Sequence, residues 1–562
     1  MYLNFLAKIP VAPGKLVRVK KGNTTYIDYE YDRTYDSNKK YTTPKRSTIG
    51  KLSNSDNTLM QPNQNFLKFF PEAELPEEKD RTCRSGCLRA GTYIVIKKII
   101  RDYRLPEILG RYFNEKDLGL FFDLAAYSII SENNAGQYYP DYAYNHPLFT
   151  KGMHIYSDSK VSDFLNSISE DQSVDFLNNW NETKNHREKV YISYDSTNKN
   201  CQAGDIEMLE YGHAKVDKGL PIFNYAIAYD THNNEPLFYE KYPGSINDVA
   251  QLQFMLDKAL GYGFKKIGFI LDRGYFSKGN IEFMDQCGYE FVIMVKGMAS
   301  FVNQLILDNK GKFESKRIYN IPDHNVYGMT VKKKLYVTDE KERYFHIYHS
   351  ISKESSERTV IEAKIQRMTK YLNQHTNEIR EFGTTFNKYF ELYYDDNKEK
   401  FLFATEQISV IEREIDLCGY FVIITSRKMT AKEAINLYKS RDVSEKLFRG
   451  DKSYLGNKSI RVYSNESASA KIFIEFIALI IRNKIYTYLK EEMKNLDKKP
   501  NYMTVPAAIK ELEKIEMVRQ LDNVYRLDHA ITATQKTILK AFGLDAAYIK
   551  YRATEISNEL KI

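Results

Sequence analysis

The chain has 562 residues, 43% of them apolar and 28% charged. That is the composition of several globular domains and excludes a disordered or fibrous chain. No stretch reaches the roughly 18 uncharged apolar residues of a membrane span, and the net charge is +8.

The most apolar run, Ile472–Ile481, is interrupted by Glu475. The start, Met1–Lys8, lacks the apolar core and cleavage site of a signal peptide, so a cytoplasmic protein without membrane contact is expected. Five cysteines, an odd number, make no disulfide framework. Cys83 and Cys87 have no second Cys/His pair nearby and read better as packed residues than as zinc ligands. Between Met1 and Lys51 stand eleven Lys/Arg and four acids, so that eleven minus four leaves an excess of seven positive charges. Tyr26, Tyr29, Tyr31, Tyr35 and Tyr41 are interleaved with them. Such a segment suits phosphate binding and base stacking, or is an ordinary solvated surface.

In chain order, residues 1–80 read as a basic, Tyr-rich β segment, with Thr25–Tyr31 alternating at period two and Pro71–Asp80 as a linker. Residues 81–185 read as a helical region for DNA binding or dimerisation. Residues 186–300 change rhythm. Val190–Asp195 is a strand ending on a carboxylate, and Pro221–Tyr229 and Pro236–Tyr242 are two more strands. A helix follows over Asp248–Leu260. Lys266–Asp272 is an apolar strand that also ends on a carboxylate. A helix from Ser277 and a buried strand at Phe291–Val295 complete this half. Residues 301–416 read as a β-rich insertion, with strands at Lys334–Val337, Tyr344–Tyr348 and Lys400–Ala404 and a helix over Ser356–Asn373. Residues 417–490 resume the core with strand Gly419–Thr425, a helix opened by the capping box Thr430 to Glu433, and the long helix Ser467–Leu489. Residues 491–562 read as helical, with Thr504 and Pro506 at a helix start. The fold class expected is α/β: a ribonuclease-H-like core, a mixed sheet flanked by helices, interrupted by the insertion and bracketed by helical regions.

Asp195 and Asp272 each close an apolar strand, where open α/β sheets gather their site residues. A single such aspartate is usually a loop cap. Two at neighbouring strand ends need a partner, because a carboxylate taken from water is costly unless paired or bound to metal. Hard oxygen ligands suit Mg²⁺ or Mn²⁺, and two such ions can serve phosphodiester displacement. On the helix after Thr430, Tyr438, Arg441, Glu445 and Lys452 fall at about 0°, −60°, −20° and −40° if the helix runs on. That face is either a solvated stripe with an Arg441–Glu445 pair or the source of the third acid. His213 reads as a packed residue rather than a metal ligand. Arg273 is either a phosphate partner or a surface charge.

The spacing Tyr438-x2-Arg441-x3-Glu445-x6-Lys452 matches the YREK signature of bacterial insertion-sequence transposases of the IS-four superfamily. Asp195-Ser196-Thr197 and Asp272-Arg273-Gly274-Tyr275 resemble that family's two aspartate blocks. Gly212-His213-Ala214-Lys215, Gly244-x3-Asp248 and Ile460-Arg461-Val462-Tyr463 resemble its other elements. The resemblance implies a DDE transposase that cuts and joins DNA, with Asp195, Asp272 and Glu445 holding two Mg²⁺ or Mn²⁺ ions. It implies that Arg441, Lys452, Arg273 and Tyr438 contact DNA. It also implies double-stranded DNA partners (terminal inverted repeats and target), a homodimer on DNA, and a nucleoid-associated location. The competing readings are a related nuclease or resolvase without strand transfer, and a domesticated copy that only binds DNA.

Overall fold

The computed structural model describes residues 2–3, 5–22, 24–36, 40–53, 56–73, 84–185, 189–201, 203, 206–212, 219–246, 248–264, 266–296, 298–397, 399–442, 455, 459–496 and 500–560. They group into two compact units, one formed mainly by Met1–Ser169 and Ser469–Ile562, the other mainly by Glu170–Ser453. Among the described residues, no helix is long and apolar enough to cross a membrane.

The first unit opens with a five-stranded antiparallel sheet, order β1-β5-β4-β3-β2. Its strands are β1 (Ala7–Lys8), β2 (Lys15–Lys21), β3 (Thr24–Asp36), β4 (Tyr41–Leu52) and β5 (Leu59–Pro62). The alternation of Thr25–Tyr31 falls in β3, which sends Ile27 into a small core with Ala7, Ile49, Met60 and Phe66. Most of the expected linker lies outside the described residues. After the short strand β6 (Cys87–Arg89), helices begin with Gly91–Asp102, which buries Tyr93, Ile94, Val95, Ile96, Ile99 and Ile100. Helix Glu115–Ser131 buries Asp123, which accepts the backbone N–H groups of Phe149 (2.6 Å) and Thr150 (3.1 Å). Burial pushes that carboxyl up to about 7 against these hydrogen bonds.

The second unit is built on a nine-stranded mixed sheet, order β12-β13-β14-β17-β11-β10-β7-β8-β9. Its first strands are β7 (Val190–Asn200), β8 (Ile222–Asp230), β9 (Glu235–Pro243), β10 (Ile267–Leu271) and β11 (Glu290–Met294). β8 and β9 run antiparallel beside β7, whereas β10 runs parallel to both β7 and β11. All five residues of β10 are buried, as the unbroken apolar run of a central parallel strand requires. Helix Glu170–Glu182 belongs to this unit, and Trp180 donates its indole N–H to the Pro236 carbonyl (3.0 Å).

Two expectations about this sheet need correction. β7 does not end at Asp195; it continues to Asn200, because β8 keeps pairing with it down to Ile222. Residues 301–416 are not a separate β-rich lobe. β12 (Asn320–Ile321), β13 (Val326–Lys334) and β14 (Glu342–His349) extend the main sheet, β14 pairing with β17 (Tyr420–Thr425). The strand expected at Lys334–Val337 is therefore β13, shifted towards the N-terminus. What stands apart is the segment after β14, and it is mostly helical. Helix Ile351–Gln374 packs with helices Thr384–Tyr389 and Ile408–Asp416 on the hairpin β15 (Phe390–Tyr394) and β16 (Phe401–Glu406). Their core holds Ile365, Met368, Leu372, Phe382, Phe390 and Phe401.

The C-terminal part of the first unit starts in the long helix Asn465–Lys494, where buried Glu475 accepts from the Asn134 amide (3.3 Å). That bond explains how an acid interrupts the apolar run. Thr504 stands at the N-cap position of helix Val505–Leu512, with Pro506 in its first turn, as expected, but its hydroxyl donates to the Asn501 carbonyl (3.5 Å) instead of accepting from the helix. The region is not wholly helical, however. β18 (Glu516–Arg519) and β19 (Tyr525–Leu527) form a hairpin whose first strand pairs with β6. Asp522-Asn523 is the turn, Asn523 taking a positive φ of 57°.

Buried His346 on β14 ties three strands of the main sheet together. Thr425 gives its hydroxyl proton to the Arg427 carbonyl (2.8 Å), so its oxygen accepts from His346 Nε2–H (2.9 Å). Nδ1 then accepts from Thr330 (2.8 Å), and the ring is neutral. Burial lowers the imidazole to about 4, with Glu433 opposing. A folded value below the unfolded one gives stability that is complete above about pH 6.5 and is lost as pH falls towards about 4. In urea titrations, the stability gap between the parent protein and His346→Gln is expected to be widest near neutral pH and to shrink in that window. A pH-independent gap overturns this account. Gly268 on β10 offers a second test. A Cβ there would lie 2.4 Å from the Tyr191 ring of β7, so Gly268→Ala is expected to cost about 1–3 kcal/mol by overpacking. Urea unfolding of Gly268→Ala and of Gly268→Ala/Tyr191→Ala measures it, with partial recovery expected in the double variant.

Candidate active site

The parallel ladder between β7 and β10 pairs Tyr194 with Leu271. The next residue on each strand is an aspartate, so Asp195 and Asp272 stand level on adjacent strands, whose spacing is about 4.8 Å. β10 stops at Leu271 while β7 continues against β8. The two carboxylates therefore sit where one neighbour of β7 has ended, and both are half-buried. Beneath them the rings of Tyr194 and Tyr275 meet at 5.5 Å.

Asp272 is held on two sides. Its Oδ1 accepts the backbone N–H of Arg273 (2.7 Å), which starts the short helical turn Arg273–Tyr275. Oδ1 also takes Arg441 Nη1 at 3.0 Å. Asp195 accepts the backbone N–H of Ser196 (2.9 Å).

The capping box is present as expected. Glu433 N–H donates to Thr430 Oγ1 (3.2 Å), and the Thr430 N–H donates back to the Glu433 carboxylate (2.7 Å). The helix it opens, Ala431–Lys439, ends at a Ser440 cap, so Arg441 follows the helix instead of continuing its face. Even so, its guanidinium lies over the Tyr438 ring, 5.2 Å from the centroid. Tyr438, expected at the DNA, is only 4% exposed and packs with Ile270, Val292, Tyr348, Ile423 and Ile435. It is a floor for Arg441 and not a surface contact. Arg273 is exposed. Glu445, Lys452 and His213 lie outside the described residues. Among the described residues, no three His, Cys, Asp or Glu are placed to hold a metal ion.

Two carboxylates on neighbouring strands are hard, anionic donors of the kind that divalent cations take. The guanidinium drawn onto Asp272 shows that this spot attracts positive charge. The residues described thus fit a metal site on two of its sides. The Arg441–Asp272 pair had no signal in the sequence, because it joins residues far apart in the chain; the helical spacing pointed to Glu445 instead.

A family model described as transposase DDE domain matches residues 190–481. None of the curated proteins compared matches. Among solved structures, the chain is similar to piggyBac transposase in a synaptic complex with hairpin DNA. The identity is 9%, over 86% of this chain and 87% of that one, with a TM-score of 0.36. It is also similar to Mos1 transposase in a paired-end complex with the left transposon end, at 12% identity over 30% of this chain and 57% of that one, with a TM-score of 0.14. The family match covers just over half of the chain, including both aspartate-bearing strands: the chain belongs to the DDE transposases, enzymes that cleave DNA and transfer its strands with the help of divalent metal ions.

Proposed function

We propose that the chain is an insertion-sequence transposase of the IS-four superfamily with a YREK signature, acting at the bacterial nucleoid. It cuts and joins its element's ends by phosphodiester hydrolysis and transesterification. The observation that carries this reading is the level placement of Asp195 and Asp272 on adjacent parallel strands within the matched domain. The strand order β9-β8-β7-β10-β11, three antiparallel strands and then two parallel to β7, supports a ribonuclease-H-like core.

In this reading Asp195, Asp272 and Glu445 hold two Mg²⁺ or Mn²⁺ ions. When bound, such ions stabilise charge on the attacking and leaving oxygens of an in-line displacement. The protein's own residues do the positioning. The Arg273 N–H fixes the Asp272 carboxylate. Tyr438 supports the Arg441 guanidinium, which together with Lys452 and Arg273 faces DNA phosphates. Two ends of double-stranded DNA need two such sites, so the working form is a homodimer on DNA; ultracentrifugation of the DNA complex tests that, and a strictly monomeric cleaving complex contradicts it.

The test is incubation with DNA carrying the inverted repeats that flank the gene, with Mg²⁺, resolved on a denaturing gel. End-specific nicks and joined products are expected. Nicks without joining would indicate a nuclease. Asp195→Asn, Asp272→Asn and Glu445→Gln are each expected to keep DNA binding but lose about two to three orders of magnitude in cleavage rate, the scale of removing one preorganised charge-stabilising group. Normal cleavage by any of them removes that residue from the site. Arg441→Ala carries a separate expectation, because its guanidinium is paired with Asp272 Oδ1 and would compete with a cation for that carboxylate. Without DNA, that variant is expected to bind Mn²⁺ about two- to fivefold more tightly, the range of a partly exposed ion pair. Spin-resonance titration of free Mn²⁺ measures this, and weaker binding would assign Arg441 to building the site.

A further inference from the structure

The strands of the N-terminal sheet differ greatly in length. β2 pairs with β3 only over Thr24–Glu30, and β5 pairs with β4 only over Gly50–Leu52. Beyond those limits β3 and β4 pair with each other alone: Asp32 with Lys45, Arg33 with Pro44, Thr34 with Thr43, Tyr35 with Thr42 and Asp36 with Tyr41. The result is a two-stranded arm of about 20 Å, at about 3.4 Å per residue.

Two-stranded ribbons on their own are marginal in water, and this one is braced at its root. Buried Glu30 accepts Arg33 Nε (2.7 Å) and Arg46 Nη2 (3.1 Å), and Lys45 bridges to Asp32 (2.9 Å) across the strands. The Tyr31 ring stacks on Phe69 at 5.0 Å. Further out, the arm presents its side chains to solvent: Tyr35 is 64% and Tyr41 54% exposed, and Lys40 beside them is exposed too. No core is gained by this arrangement.

The arm is also poorly made for adding a strand from another protein. Pro44 removes a ladder donor, and the register shifts at the arm's root, where Tyr31 is an extra residue on β3 between Glu30 and Asp32. Its charge points to a polyanion. Arg33, Lys39, Lys40 and Lys45 against Asp32 and Asp36 leave residues 31–45 an excess of two positive charges, within a segment, Met1–Lys51, that carries seven of the chain's eight. A two-stranded ribbon has the cross-section that the major groove, about 12 Å wide, admits.

We propose that the β3–β4 arm enters the major groove of the duplex that the enzyme recognises, with Tyr35, Lys40 and Tyr41 against phosphates and base edges. This rests on the transposase reading for its partner, DNA. Tyrosine hydroxyls and a lysine are groups that hydrogen-bond phosphate oxygens, and those on the inner side of a ribbon reach base edges.

The test uses full-length protein, the triple variant Tyr35→Ala/Lys40→Ala/Tyr41→Ala, the single variant Lys40→Glu, and an element-end duplex. Gel shifts over a salt series are combined with dimethyl sulfate footprinting, which reads guanine N7 in the major groove. The triple variant is expected to bind about tenfold more weakly and Lys40→Glu to give a shallower salt slope by about one unit. The guanine protection seen with the parent protein is expected to vanish in the triple variant. Parent-like binding and footprint in both variants, with the parent protein cleaving, overturn the arm alone. A parent protein that neither binds nor cleaves duplex DNA overturns the arm together with the function it rests on.

Discussion

The ladder between β7 and β10 sets Tyr194 opposite Leu271, and the chemistry of this chain depends on that register. With side chains alternating across the sheet, a slip of one residue would turn either aspartate to the opposite face. Burial enforces the register. Phe269, Ile270 and Leu271 on β10 and Ile192 and Tyr194 on β7 have essentially no exposed surface. Gly268 allows the close approach, since only a residue without Cβ fits against the Tyr191 ring. Packing that looks like ordinary core stability is therefore also what aligns two carboxylates.

Aligning them has an electrostatic cost, because like charges on adjacent strands repel each other and each has lost part of its water. The protein meets part of that cost with Arg441, whose side chain is 11% exposed. The guanidinium can sit there because Tyr438 is locked into the sheet's core and offers it an aromatic face. A surface tyrosine could not hold the group in place.

Much of this was legible in the sequence wherever a segment was long and had one strong period. The apolar runs ending at Asp195 and Asp272, the strand at Gly419–Thr425 and the Thr430–Glu433 box all read directly. Less legible was whatever a partner decides. Ser196–Asn200 is polar, and only β8 shows that it stays a strand. Glu516–Arg519 and Tyr525–Leu527 are too short for a periodic signal; the first is held by β6 on one side and by the second on the other. β13 ends in three lysines at the edge of a sheet, so its alternation fades before the strand does. Arg441 was placed on the face of a continuing helix, but the chain turns at Ser440 and sends it to Asp272.

The correction between residues 301 and 416 changes how the catalytic sheet is understood. β14 hydrogen-bonds to β17 along six residue pairs, Tyr344 to His349 against Tyr420 to Thr425, and β17 in turn pairs with β11. An insertion that merely hung from the core would leave β17 as an edge strand with a row of unmet backbone groups. Here β12–β14 cover that edge, and His346 stitches β13, β14 and β17 through Thr330 and Thr425. The segment that keeps its own core begins only at Ile351, with Ser350 capping its long helix through the Lys353 N–H. The helix Ala431–Lys439 lies against strands from both sides of the chain interruption: Ile435 and Tyr438 pack with Val326 and Tyr348 as well as with Ile270 and Val292. The helix that delivers Arg441 to Asp272 therefore rests on a surface that the core strands β10 and β11 do not supply alone. In this chain the strands before the helical lobe are part of the platform on which the site is assembled.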